Sequence, residues 1–86
     1  MTYKIKLEKR AREDLQFWRK NDPKTLIKIT KLIENITKTP FEGLGKPEPL
    51  KENLSGYWSR RINYRDRLVY KVENNIIYII QARFHY

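Results

Sequence analysis

No cysteine occurs anywhere in this chain. That absence removes disulfide staples, thiolate catalysis and Cys-ligated zinc or iron–sulfur sites together, and it fits a cytoplasmic setting. Histidine is almost as scarce. His85 is the only one, so a zinc site would have to draw its remaining ligands from carboxylates. The ten acidic residues are scattered from Glu8 to Glu73, and no pair is spaced like a two-metal cluster. Any catalysis is therefore expected to proceed without a metal or other cofactor. The chain contains no run of about 20 apolar residues and does not open on a signal-peptide pattern, which favours a soluble protein over a membrane one. Glycine and proline are sparse as well. Apart from Pro23 and Gly56, every one of them falls between Pro40 and Pro49.

What is abundant is positive charge. Nineteen Lys and Arg face ten Asp and Glu, a net charge of +9, and the sequence pI is about 9.9. This balance suits a polyanion, most simply nucleic acid, better than an acidic small molecule or an anionic membrane surface. At 86 residues the chain is expected to form one domain over 1–86, with a core large enough to fold but not generous. No internal repeat or low-complexity segment is present.

Hydrophobic spacing predicts the elements. Tyr3, Ile5 and Leu7 alternate with Lys4 and Lys6, as in a half-buried strand. From about Glu8 to Lys20 the spacing turns helical, with Ala11, Leu15 and Trp18 on one face. Asp22 and Pro23 then suit the N-cap and first position of a second helix. That helix carries Leu26, Ile29, Ile33 and Ile36 on one stripe and Lys24, Lys28 and Lys31 on another, and should stop before Pro40. The lysine stripe reads first as a solvated face. Thr39 to Ser55 is expected to be a stiff, shaped loop, pinned by Leu44, Leu50 and Leu54; so long a loop in a small domain is usually functional or disordered. Strands follow at 57–62, 67–73 and 76–84, with Asn74-Asn75 as a hairpin turn. The expected fold is α+β: two N-terminal helices on a small, mostly antiparallel sheet, in the order β-α-α-β-β-β.

Strand alternation sorts the candidate chemistry. Arg61, Arg67, Arg83 and His85 fall on faces that would meet at one end of the sheet. Phe84-His85-Tyr86 closes the sequence with a lone histidine between two aromatics after a buried strand, and together with Glu48, Arg61 and Arg67 it suggests a nuclease site acting on RNA. The ribose 2′-hydroxyl would be the nucleophile, so the protein need supply no covalent one. His85 can protonate the leaving group, since an ordinary imidazole is partly protonated near neutral pH. Arginines suit the phosphate. Glu48 is the candidate base. Positive neighbours weaken any carboxylate as a base, which leaves the role open between Glu48, acting mainly to orient the hydroxyl, and Lys51 or Lys46. The plainer alternatives are an idle terminal histidine, a surface Glu48, and arginines that bind phosphate without catalysis. Trp18 and Trp58 read as core. Tyr57, Phe84 and Tyr86 are the better stacking candidates.

Four ordered motifs add a resemblance. Gly45-Lys46-Pro47-Glu48-Pro49-Leu50, Leu54-Ser55-Gly56-Tyr57-Trp58-Ser59-Arg60-Arg61-Ile62, Arg67-Leu68-Val69-Tyr70 and the terminal His85-Tyr86 resemble the YoeB (Txe) toxins of the RelE superfamily. These belong to bacterial type II toxin–antitoxin systems. The resemblance is close from Thr39 onward and looser over the helices. It implies a RelE-like fold and a ribosome-dependent endonuclease that cuts mRNA in the A site, leaving a 2′,3′-cyclic phosphate and stopping translation. The family's base falls on Glu48, its acid on His85 and its transition-state arginine on Arg67. Lys46, Lys51, Arg61 and Tyr86 match positions that contact phosphates or support the site. The implied partners are mRNA and rRNA, a second copy of the chain, and a YefM-like (Axe-like) antitoxin with an acidic segment that folds on binding. The chain would also act with its antitoxin as a corepressor. Asp66 stands where relatives often have His, and Phe84 where Tyr is commoner. A competing reading is a non-catalytic protein that blocks the ribosome or another RNA.

Overall fold

The computed structural model describes residues 3–84; His85 and Tyr86 lie outside the described residues. Its elements are β1 (Lys4–Leu7), α1 (Lys9–Asn21), α2 (Pro23–Lys38), β2 (Glu48–Pro49), β3 (Trp58–Arg61), β4 (Arg67–Glu73) and β5 (Ile76–Gln81), with a 3₁₀ turn at Glu52–Leu54. The sheet runs β1-β5-β4-β3-β2. β1 is parallel to β5 and every other pairing is antiparallel. The α+β order expected from the sequence is present, with one addition: the loop contributes a two-residue strand, β2, along the sheet's edge.

Local chemistry explains the boundaries. The Asp22 backbone N–H closes α1 onto Trp18 O at 2.7 Å. The Asp22 carboxylate then accepts from the Thr25 hydroxyl at 2.7 Å and Thr25 N–H at 3.4 Å, capping α2, where Pro23 opens the helix. Asn74 and Asn75 both adopt positive φ, 53° and 65°, as a two-residue hairpin with the sheet's twist requires. The core joins Ala11 and Trp18 of α1 and Ile29, Leu32 and Ile36 of α2 to Leu68, Tyr70, Ile77 and Ile79 on one face of the sheet.

The long loop is fastened by a buried charge as well as by two of its three leucines. Leu50 is buried and Leu54 half-buried, but Leu44 is 55% exposed. The charge is that of Arg60 of β3, which is fully buried. All five of its guanidinium N–H groups are satisfied. Nε donates to the Tyr70 hydroxyl, Nη1 to Asn35 Oδ1 and Leu44 O, and Nη2 to Thr39 O and Glu42 O. The Tyr70 hydroxyl in turn donates to Pro40 O at 2.6 Å. Burial pushes the Tyr70 pKa up, against the opposing pull of Arg60. No carboxylate pairs with Arg60 among the described residues. Its charge is offset by carbonyl oxygens at the C-terminal end of α2 and in the loop, where the helix dipole is negative.

The end of the chain is fastened in a similar way. β5 stops at Gln81 rather than Phe84. A bulge skips Ile80, so that Val69 pairs with Gln81 and Tyr70 with Ile79. Gln81 and Ala82 are consecutive and both buried, so alternation no longer predicts facing beyond this point. From here side chains replace the ladder. Asp14 accepts from Ala82 N–H at 2.9 Å, Trp18 Nε1 donates to Ala82 O at 2.7 Å, and Asp66 accepts from Phe84 N–H at 2.7 Å. Gln81 Nε2 donates to Arg83 O at 3.0 Å, and Arg67 N–H to Phe84 O at 3.0 Å. Arg83 consequently turns toward α1, its guanidinium 3.3 Å from the centre of the Phe17 ring, instead of joining Arg61 and Arg67.

Two outcomes follow from these fastenings. Arg60→Leu should lower the unfolding free energy by roughly 3 kcal/mol or more, because several buried acceptors lose their donor at about 1–3 kcal/mol each. Arg61→Leu, one residue away and exposed, should stay within about 0.5 kcal/mol of the parent; urea midpoints measure both, and equal losses would contradict the anchoring role of Arg60. Asp66→Ala should raise amide hydrogen exchange at Phe84 by tenfold or more while Ala82, held by Asp14, keeps its protection.

Candidate active site

Register assembles the site on the sheet face opposite the helices. Glu48 of β2 lies beside Ser59 of β3, Ser59 beside Val69 of β4, and Val69 beside Gln81 of β5. Paired residues in adjacent strands point the same way, so these four form one row across the sheet. Arg61 and Arg67 are direct register partners in the next row of that face. A cleft of about 240 Å³ opens over both rows, lined by Lys46, Pro47, Glu48, Pro49, Ser59, Arg61 and Arg67.

Each wall has a backbone reason to be where it is. Gly45 O accepts from Arg61 N–H at 2.7 Å, which lays the loop along β3. A side chain at Gly45 would meet Leu32 Cδ2 at 2.9 Å and Arg61 O at 3.1 Å, and its φ of +79° is one that L residues avoid. Lys46 follows with φ 52°, and Phe84, whose carbonyl accepts from Arg67 N–H, has φ 67°. Such conformations cost about 1–3 kcal/mol each and persist only where the surroundings enforce them. The Arg67 side chain is steadied by Nη1 donating to Asn63 O at 3.1 Å.

The structure thus brings together Lys46, Glu48, Arg61 and Arg67. Lys51 is not in this cleft; it borders a neighbouring hollow that shares Glu48 and Pro49. His85 and Tyr86 lie outside the described residues, but the residue before them, Phe84, is hydrogen-bonded to the Arg67 backbone. Trp18 is buried and Trp58 packs partly buried against the core, as expected. Asp66 is 1% exposed, with its carboxylate engaged by Phe84 N–H and by Asn63 Nδ2 at 3.0 Å, so its work is on the tail. Sequence reasoning missed Asp14, which accepts from Ala82 N–H and pairs with Arg10. It also missed Gln81, which donates to the Arg83 carbonyl, and it did not single out Ser59. Alternation places Ser59 on the Arg61 face, and that was the available signal.

Three cations around one carboxylate suit a phosphodiester. Two arginines carry fixed charge, the lysine adds a third cation, and Glu48 can orient or deprotonate a hydroxyl beside them.

Comparison with known proteins shows the family. Residues 7–86 match the model of the YoeB-like toxin of bacterial type II toxin–antitoxin systems. Toxin YoeB of Synechocystis sp. is 51% identical over 83 residues, covering 96% of each chain. The YoeB/ParE toxin from Agrobacterium tumefaciens superposes with a TM-score of 0.94 at 46% identity, over 96% of this chain and 99% of that one. The Staphylococcus aureus YoeB dimer superposes with a TM-score of 0.91 at 44% identity over the whole of both chains. The heterotetrameric YoeB–YefM complex from the same organism gives 0.89 at 44%, again over both whole chains. The chain belongs to the YoeB-like toxins of bacterial type II toxin–antitoxin systems.

Proposed function

We propose that the chain is a ribosome-dependent endoribonuclease that cuts mRNA in the A site. The observation that carries this reading is the facing pair Arg61 and Arg67 in one cleft with Lys46 and Glu48, next to the main chain that leads into His85. In the cleft, Arg67 and Arg61 hold the scissile phosphate. Glu48 orients the 2′-hydroxyl and takes its proton as the 2′-oxygen attacks phosphorus. Negative charge grows on the non-bridging oxygens of the phosphorane, which Arg67 offsets. The bond to the 5′-oxygen breaks as His85 gives that oxygen a proton, leaving a 2′,3′-cyclic phosphate and a 5′-hydroxyl. Lys46 and Lys51 neutralise flanking phosphates, and Tyr86 supports the site. No bond-making atom comes from the protein, and no metal is required by the proton and charge balance.

The likeness to the S. aureus protein, solved as a dimer and with YefM, supports a homodimer and a YefM-like antitoxin for this chain too. A net charge of +9 favours rRNA and an acidic antitoxin segment alike. No described helix is long and apolar enough to cross a membrane, and the proposed work is cytoplasmic.

Primer extension on a defined mRNA with purified ribosomes tests the reading. The wild-type chain should produce a stop inside the A-site codon. Glu48→Gln, Arg67→Ala and His85→Ala should each lower the cleavage rate by about 10²-fold or more, with ribosome binding largely intact. Inhibited translation of intact mRNA would mean a binding protein instead, and full cleavage by His85→Ala would remove its role as acid.

A further inference from the structure

A second, larger depression opens beside the cleft and shares Lys46 and Arg61 with it. Its volume is about 560 Å³, within the range of about 300–1,000 Å³ usual for small-molecule sites. Leu32 and Ile62, both buried, form its floor. Leu44 and Tyr64 stand at its sides, 55% and 93% exposed, and Lys28 and Lys31 of α2 lie on its rim. Four of its ten lining residues are cationic and none is acidic.

Leu44 and Tyr64 present exposed apolar surface beside these cations. Four cations and no acidic residue encircle it. They favour a polyanion that also presents flat apolar surface. Single-stranded RNA has both properties: its bases stack on aromatic side chains and its phosphates pair with Lys and Arg. A strand whose scissile phosphate lies between Arg61 and Arg67 runs directly into this groove, because Arg61 and Lys46 wall both.

We propose that this groove is an RNA subsite for a nucleotide adjoining the cleaved one, with its base against Tyr64 and Leu44 and its phosphate between Lys28, Lys31 and Lys46. The proposal rests on the reading of the neighbouring cleft as a phosphodiester-cleaving site. Two members of the α2 lysine stripe are then an RNA contact rather than a solvated face, and Tyr64 is a determinant of affinity and base preference.

The test is fluorescence anisotropy with a labelled, uncleavable 2′-O-methyl single-stranded hexanucleotide and the full chain. Tyr64→Ala should weaken binding about five- to tenfold, from the loss of one stacked base, and Tyr64→Phe should restore it. Lys28→Gln combined with Lys31→Gln should flatten the salt dependence by a slope of about 0.7, the contribution of the one phosphate they hold. Tyr64 is too exposed for its loss to unfold the chain, which circular dichroism checks. Unchanged affinity in Tyr64→Ala, or no binding at low salt, overturns the subsite whether or not the protein cuts mRNA. Tyr64-dependent binding by a protein that fails to cut ribosome-bound mRNA keeps the subsite and removes the nuclease reading. An acidic peptide that requires Tyr64 while the oligonucleotide ignores it assigns the groove to a protein ligand and overturns the proposal.

Discussion

One buried cation organises the functional half of this molecule. Arg60 sits at the centre of the loop between α2 and β3 with all five donors used, four of them on carbonyl or amide oxygens of α2 and the loop. A guanidinium buried without a carboxylate is tolerable only when every N–H finds an acceptor and the surrounding dipoles are negative. Loop residues 39–44 meet that demand by turning their carbonyls inward, and this conformation delivers Gly45 to the edge of β3. Lys46 and Glu48 then reach the cleft. An apolar residue at position 60 would leave the carbonyls of Thr39, Glu42 and Leu44 without their donor. The adjacent Arg61 points to the other face, where a phosphate can reach it. One arginine of the pair shapes the loop and the other serves the cleft.

The opposite wall obeys a similar logic. Asp14 and Asp66 are buried acids, and each accepts a hydrogen bond from one backbone N–H in the segment 82–84. Charge-assisted bonds of this kind are stronger than neutral ones, and they hold Phe84 in a left-handed conformation against the edge of β4. Loop and tail are therefore both fixed by long-range polar contacts from the rigid layers, which suits a site whose groups must be positioned before substrate arrives. The same contacts hold Lys46, in the cleft, and Phe84, hydrogen-bonded to Arg67, in the left-handed region.

Much of this was legible in the sequence. The helices, the Asp22-Pro23 junction and the Asn74-Asn75 hairpin carry local signals, and the structure reproduces them. Strand parity grouped Arg61, Arg67, Arg83 and His85 without fixing their register, and set Arg60 with Trp58 and Ile62 on the face opposite Arg61. The pairing of Arg61 with Arg67 is fixed only by the sheet, and Arg83 leaves the group. Parity gave no hint that Arg60 would be the loop's anchor, because composition alone reads a buried arginine as improbable. β2 was invisible because two residues, one a proline, have no strand signature; their pairing with Ser59 and Trp58 defines them. The end of β5 was misjudged since Asp14 and Asp66, remote in sequence, take over its hydrogen bonds. A lone loop glutamate likewise carries little local mark of function. Glu48 reads as a candidate base beside the basic residues, with an ordinary surface residue as the plainer alternative, and the motif resemblance then places the family's base on it.

Cleavage of a ribosome-bound mRNA that carries a single 2′-deoxynucleotide at the cut position tests the central claim most directly. If the RNA supplies the nucleophile and the protein supplies only protons and charge, cleavage at that position vanishes while ribosome binding and cutting of the all-ribose message persist. Continued cleavage at the deoxy position would show that water or the protein attacks the phosphorus, and the roles proposed for Glu48, Arg67 and His85 would be wrong.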